Sequence, residues 1–162
     1  MGVDVLNTTT QKRWEFSISV PDLFKMVSLQ TSYINNRFPV RSDFRIMNED
    51  DMALFKSSLY NAVADLNVML ARYYQREFDE YEITDEFIYL NLNLSLDCKD
   101  SISFSLNEYV KKFLEFSILK EWYGVESYNL GIDAQIALNE SKIKSSTNYR
   151  KNVVRRPIHP IF

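Results

Sequence analysis

Residues 48–75 read NEDDMALFKSSLYNAVADLNVMLARYYQ, the pattern of one long amphipathic helix. Its apolar residues recur every three or four positions and therefore share one helix face: Met52, Phe55, Leu59, Val63, Leu66, Leu70 and Tyr73. Asn48 suits the cap position, and Arg72 and Arg76 place positive charge in the last turn. The apolar stripe is widened by Leu54, Ala62, Met69 and Tyr74. We therefore expect this helix to have packing partners on more than one side.

The length of 162 residues is typical of a single domain with a substantial core. Cys98 is the only cysteine, so no disulfide forms within the chain and a reducing compartment is expected. No basic segment followed by an apolar run stands near Met1, and no stretch approaches 18 consecutive apolar residues. We expect neither a secretory signal nor a membrane span.

Two strands and three further helices are predicted around the central helix. Apolar residues alternate with polar ones over Trp14–Val20 and again over Ile88–Leu96, as in half-buried strands. Pro21 starts a predicted helix that ends near Asn35, with a buried side of Leu23, Phe24, Val27, Tyr33 and Ile34. The other two helices are predicted over Leu106–Tyr123, followed by a left-handed Gly124, and over Ser127–Lys144.

A β-hairpin is predicted over residues 87–104. Asp97 to Asp100 has the composition of a turn, and Ile102 and Phe104 continue the alternation as a return strand. Ser105 and Glu108 have the spacing of a capping box, which predicts that the next helix begins at Leu106.

These patterns predict an α+β fold that is mainly α, with three to four helices packed as a small bundle. We expect an exposed N-terminal arm over residues 1–13, a helical domain with its hairpin over 14–145, and an extended C-terminal arm over 146–162.

The net charge of −3 is distributed unevenly. From Ser141 onward there are six basic residues and no acidic one, whereas the other 13 basic and 22 acidic residues give the rest of the chain a balance of −9. Two prolines favour an extended conformation near the end, where apolar residues accompany the charges: Arg155, Arg156, Pro157, Ile158, Ile161 and Phe162. We interpret these six residues as a docking arm that binds a neighbouring subunit.

Six carboxylates and no basic residue occupy residues 77–86: Glu77, Asp79, Glu80, Glu82, Asp85 and Glu86. The spacing is not that of an EF-hand, and the glycine which that loop requires is missing. The segment is either a solvated acidic surface or the wall of a passage that repels DNA phosphates.

The sequence predicts no catalytic site. His159 lies between prolines near the end of the chain, and Cys98 has no histidine near it in sequence. The three glycines cannot form a phosphate-binding loop. We therefore expect no enzyme activity, no cofactor and no bound metal.

Over residues 48–144 the chain resembles the head–tail connector, or neck adaptor, proteins of tailed bacteriophages. The resemblance is carried by the long central helix, by the segments TDEFIYL (84–90) and EFSILKEWY (115–123), and by a final helix with an extended arm. The composition, which is rich in Asn, Ile and Tyr, resembles that of proteins from phages of gut Bacteroidales, including crAss-like phages. The strand at Trp14–Val20 and the hairpin depart from the mostly helical members, which leaves open another neck ring or a tail-completion protein.

The resemblance implies a structural virion protein without catalytic residues, assembled in the host cytoplasm. Its expected partners are copies of itself in a ring, typically of twelve, the portal protein, the next neck or tail protein and, transiently and without sequence specificity, the packaged DNA. No membrane partner is expected. The alternative from another class of function is a DNA-binding accessory protein that uses the basic tail.

Overall fold

A computed structural model describes residues 11–38, 44–74, 81–95 and 100–148 of the chain. The strands are β1 (Gln11–Ser19), β2 (Tyr81–Ile83) and β3 (Phe87–Ser95), and the α-helices are α1 (Val20–Arg37), α2 (Met52–Leu70), α3 (Asp100–Tyr123) and α4 (Ile132–Thr147). Short 3₁₀ turns flank α2 at Glu49–Asp51 and Ala71–Tyr73, and another joins α3 to α4 at Gly124–Ser127. The fold is α+β and mainly helical, as the sequence predicts.

The sheet is antiparallel, with the strand order β1-β3-β2. The predicted alternation is confirmed, because Trp14 pairs with Leu92, Phe16 with Leu90 and Ile18 with Ile88. One face of the sheet faces the core through a set of buried side chains: Phe16, Ile18, Ile88, Leu90, Leu92 and Leu94. Strand β1 begins at Gln11, so the prediction of an arm was wrong for residues 11–13, while residues 1–10 lie outside the described ranges.

The predicted hairpin over 87–104 was wrong. Residues 100–104 form the first turns of α3, and β3 pairs with β1 and with β2. The hairpin that the structure contains joins β2 to β3 around Thr84. A helix forms at 100–104 because Ile102 lies four residues before Leu106 and extends the apolar stripe of α3 by one turn.

The predicted capping box at Ser105 was wrong for the same reason. Ser105 lies inside α3, and its hydroxyl donates a hydrogen bond to the carbonyl oxygen of Ser101 at 3.1 Å. Glu108 pairs instead with Lys111, with its Oε1 2.9 Å from Lys111 Nζ.

The central helix was predicted correctly over Met52–Leu70, but the uninterrupted helix predicted over 48–75 was too long, because Glu49–Asp51 and Ala71–Tyr73 are 3₁₀ turns and Tyr74 is extended. Asn48 caps its first turn: its Oδ1 accepts a hydrogen bond from the Asp50 amide at 2.9 Å. The Asp51 carboxylate in turn accepts one from the Asn48 amide at 3.1 Å. Of the predicted stripe, Phe55, Leu59, Val63, Leu66 and Leu70 are buried, and Met52 and Tyr73 are partly buried. Leu54, which the prediction added to the stripe, is 49% exposed.

The outer helices differ from prediction at their ends. Helix α1 begins at Val20, capped by Ser19, and Tyr33, which the prediction buried, is 59% exposed. Gly131 was predicted inside the last helix, but it precedes α4 with a φ of 73°, a left-handed conformation that glycine adopts without strain. Gly124 has a φ of 53°, which confirms its predicted left-handed role. Helix α4 ends at Thr147, so residues 146 and 147 are helical and do not belong to an extended arm.

Helix α3 is the element that holds the others together. It contacts α1, α2, α4 and β1, and its buried residues join one continuous core with those of the sheet. Asn61 of α2 contacts Glu121 near the end of α3, and Lys120 of α3 contacts Asp133 near the start of α4. Lys142 near the end of α4 lies 5.2 Å from the ring of Tyr109 in the first half of α3, so α4 runs antiparallel to α3, and α2 lies beside α4 on the surface of α3.

Candidate functional site

The outer face of α2 is exposed and almost free of charge. Of the exposed residues in this helix only Asp65 is charged at neutral pH; the others are Ala53, Leu54, Ser57, Tyr60, Asn61, Ala64 and Val68. Val68 is 81% exposed and Tyr60 is 52% exposed. Such a surface costs little to dehydrate, because few polar or charged groups lose water when it is covered.

A groove of about 810 Å³ adjoins this face, over α3 and between α2 and α4. Its lining is largely apolar and includes Val68 and Met69 of α2, Phe113 of α3 and Ile136 of α4. The groove exists because Gly124 and Gly131 turn the chain after α3, so that α4 packs on α3 beside α2.

The charged residues at the groove leave it with a negative balance. Lys120 Nζ lies 2.7 Å from Asp133 Oδ1, and Lys144 pairs with Glu140. Glu121 accepts a hydrogen bond from the amide of Asn61 at 3.0 Å. Within the described ranges, neither Asp65 nor Glu121 has a cationic partner.

The ion pair at the α3–α4 end of the groove is reinforced by a serine. Ser127 Oγ donates a hydrogen bond to Asp133 Oδ2 at 2.9 Å. The hydrogen bond from Lys120, together with that from Ser127, lowers the pKa of Asp133 below its ordinary value of 3.8. The carboxylate therefore stays ionised in all but strongly acidic solution, and it holds Lys120 at the groove.

The acidic run is only partly described. Glu82, Asp85 and Glu86 are exposed in and after β2, whereas Glu77, Asp79 and Glu80 lie outside the described residues. Thr84 shapes the turn, because its hydroxyl accepts a hydrogen bond from the Phe87 amide at 2.9 Å. Asp85 Oδ1 lies 2.6 Å from Lys56 Nζ, and this hydrogen bond lowers the pKa of Asp85 and raises that of Lys56. One predicted acidic residue is thereby neutralised by α2.

The predicted docking arm lies outside the described residues, and so do Cys98 and His159. This applies to Arg155, Arg156, Pro157, Ile158, Ile161 and Phe162. The described chain ends at Asn148, whose Oδ1 accepts hydrogen bonds from Arg72 and from the Tyr73 hydroxyl, the latter at 2.6 Å. The described part of the chain therefore ends beside the end of α2.

A second charged cluster, around Asp51, is structural. Asp51 is buried; its Oδ1 lies 2.6 Å from Arg45 Nη2, and its Oδ2 accepts a hydrogen bond from the Asn48 amide at the 3₁₀ turn before α2. The Arg45 guanidinium stacks 4.7 Å above the ring of Trp122. These contacts fix the segment before α2 against the end of α3.

The described residues contain no group of three or more His, Cys, Asp or Glu side chains placed to hold a metal ion. Among the same residues, no helix is long and apolar enough to cross a membrane.

The sequence did not predict the groove. Its residues come from three helices, and their proximity depends on α2 and α4 lying side by side on α3, which no local pattern specifies. The one available signal was Val68, an apolar residue off the main stripe of α2.

No protein-family model matches the chain, and no curated protein or solved structure is detectably similar to it.

Proposed function

We propose that the chain is a structural subunit that assembles with copies of itself into a closed ring. In a tailed phage this ring would join the portal to the tail and line the passage for DNA. The phage context is supported by the sequence resemblance, and the assembly is supported by the outer face of α2. In this role the chain catalyses no reaction and needs no cofactor.

The observation that carries the proposal is the uncharged outer face of α2. A helix on the outside of a monomeric protein normally presents charged residues to water. Here five turns of α2 present mainly small, apolar or uncharged residues, with Asp65 as the single charged group among the exposed ones. A second subunit that covers this face buries mainly apolar surface, and Asp65 is the one carboxylate among the exposed residues of α2 that it would have to pair.

A contact of this kind closes into a ring when it is heterologous. One subunit presents the α2 face, its neighbour presents a different surface, and the rotation between them repeats until the circle is complete. The geometry of the contact would thus determine the number of subunits.

The turn between β2 and β3 has a proposed role in the passage. Glu82 and Glu86 are exposed beside the neutralised Asp85. Carboxylates on the wall of a channel repel DNA phosphates, so the duplex would slide without binding.

Native mass spectrometry of the purified chain at micromolar concentration tests the assembly. The proposal predicts one large closed species, on the order of twelve times the subunit mass of 19.2 kDa. A mass of 19.2 kDa alone, with and without a portal protein present, would contradict it.

A second candidate is favoured by the six basic residues from Lys142 onward. A DNA-binding accessory protein would use them to neutralise phosphates, and its affinity would fall steeply between low and moderate salt. A ring held by apolar surface would persist over the same range of salt. Measuring duplex binding and subunit mass across one salt series separates the two functions.

A further inference from the structure

We propose that the groove between α2 and α4 binds residues 155–162 of a neighbouring copy. Arg155 and Arg156 would lie against Asp65 and Glu121, and the apolar residues that follow would fill the apolar part of the groove. The inference rests on the proposed assembly and identifies a contact that would join one subunit to the next.

Charge complementarity is the first reason. The groove holds two carboxylates without cationic partners among the described residues, and both of its lysines are already paired. Residues 155–162 contain two adjacent arginines and no acidic residue. Guanidinium groups bind carboxylates through two parallel hydrogen bonds, which gives such a contact direction as well as strength.

Chemical match along the groove is the second reason. Beside the carboxylates lie Val68, which is 81% exposed, and Met69, whose flexible side chain adapts to varied shapes. Ile158, Ile161 and Phe162 follow the arginines by two to seven positions. A segment with charged and apolar groups in this order matches a groove with a charged rim and an apolar floor.

The length of the arm permits either its own groove or that of a neighbouring copy, and the proposed assembly assigns it to the neighbour. The chain leaves α4 at Asn148, one turn beyond Lys144 at one end of the groove. Along α3 the groove extends from Phe113 to Gly124, eleven residues or roughly 16 Å at helical rise. Seven residues of extended chain from Asn148 to Arg155 span roughly 22 Å. Because Asn148 lies a further turn, roughly 5 Å, beyond Lys144, an extended chain brings the arginines to about the far end of their own groove, so length alone does not separate the two occupants.

Disulfide trapping between two full-length chains tests the contact directly. Both chains carry Cys98→Ser; one carries Val68→Cys in the groove and the other Ile161→Cys in the arm. Mixing and mild oxidation should give a disulfide between the two different chains, identified by mass spectrometry of its peptides, because a disulfide between two like chains also has twice the 19.2 kDa subunit mass. The matched control is Val125→Cys, because Val125 is 92% exposed and lies outside the groove. Equal yields from Val68→Cys and Val125→Cys would overturn the proposal.

The doubly substituted chain, Val68→Cys with Ile161→Cys, distinguishes the two occupants. The proposal predicts crosslinked species of two or more subunits. A crosslink confined to single chains would show that the arm folds back on its own groove, and it would overturn the assignment to a neighbour.

Charge exchange tests the role of the carboxylates. Asp65→Arg with Glu121→Arg should lower the crosslink yield roughly tenfold or more, because like charges then face each other. Adding Arg155→Glu and Arg156→Glu to the arm chain should restore it. If the crosslink yield is the same before and after both charge exchanges, the proposed pairing is overturned.

The failure of this contact and the failure of the ring have different signatures. A large native mass without the Val68–Ile161 crosslink leaves the ring standing and removes the arm from the groove. The opposite result is a Val68–Ile161 crosslink in a protein whose native mass never exceeds two subunits. It would support binding of the arm in the groove and contradict the ring.

Discussion

Helices α2 and α3 are similar in their sequence patterns and different in their surroundings. Helix α3 contacts α1, α2, α4 and β1, and its exposed residues are few: Ser101, Phe104, Lys112, Lys120 and Glu121. Helix α2 buries one face against the core and leaves the opposite face open to solvent, where Asp65 is the only charged group among its exposed residues at neutral pH. The fold therefore depends on α3, and the uncovered face of α2 is the surface on which we place assembly.

The comparison separates two kinds of substitution. Changes to buried residues of α3 should lower the stability of the monomer. Changes to the outer face of α2 should leave stability nearly unchanged and affect only assembly. The predictions below follow this division from the largest expected effect to the smallest.

Leu114→Ala should lower the free energy of unfolding by about 2–5 kcal/mol, because Leu114 is fully buried in α3 and its loss leaves a cavity. Val68→Ala, on the exposed face of α2, should change it by no more than about 0.5 kcal/mol. Urea unfolding of the two variants measures both values. Equal losses would contradict the contrast between the helices.

Tyr123 should make the fold sensitive to alkali. The ring packs 5.2 Å from Phe44, and burial raises the pKa of the phenol from 10.0 to about 12. Because the folded state holds its proton more tightly than the unfolded state, the contribution is complete below pH 10 and is lost as the pH rises towards 12. The loss should be at most about 1.4 kcal/mol for each pH unit in that range, because that is the limit for one proton and solvent reaches part of this group.

Tyr123→Phe removes this titration, so the variant should lose less stability than the wild type between pH 10 and 12. Denaturant unfolding at pH 9, 10.5 and 11.5 provides the measurement. Parallel losses in both proteins would show that this phenol is not protected by burial.

Asp133 should contribute to stability in acid, with a smaller effect because its partner Lys120 is exposed to solvent. Its pKa is lowered in the folded state, so the contribution is present above pH 3.8 and is lost as the pH falls further. Asp133→Asn should therefore show a shallower decrease in stability below pH 3.8. Identical acid unfolding curves for the variant and the wild type would contradict the Lys120 and Ser127 contacts.

Ser105→Ala should stabilise the protein slightly, by up to about 0.5 kcal/mol, because alanine is the better residue inside a helix. The helix begins at Asp100, and the Ser105 hydroxyl bonds back to the Ser101 carbonyl oxygen. A loss of about 1 kcal/mol in thermal unfolding would instead indicate a helix start at this serine.

Periodic patterns predicted the elements of the fold well where they were long. The apolar stripe of α2 and the alternation in β1 and β3 were sufficient to identify a helix and two strands, since each pattern extends over enough residues to exclude other periods. At the start of α3 two apolar residues, Ile102 and Phe104, fitted a strand and a helix equally. In the structure this segment is helical: Ile102 packs on the core, whereas Phe104 is 71% exposed.

The candidate surfaces were less predictable than the elements. The sequence indicated that α2 is apolar over a wide arc, yet it placed Leu54 in the core, where the structure exposes it. The pairing of Asp85 with Lys56 joins residues 29 positions apart, so the charge run alone could not reveal it. Interaction surfaces depend on which helices lie side by side, and periodicity within one helix does not contain that information.

The central claim is that the outer face of α2 mediates assembly, and Ala64→Glu tests it most directly. Ala64 is exposed in the middle of this face, and glutamate is a good helix former, so the monomer should remain folded. Ala134→Glu is the matched control, an exposed alanine of α4 beside Asp133. Sedimentation of the three proteins at equal micromolar concentration should show the large species for the wild type and for Ala134→Glu, and a 19.2 kDa monomer for Ala64→Glu. A large species that survives Ala64→Glu would contradict the claim.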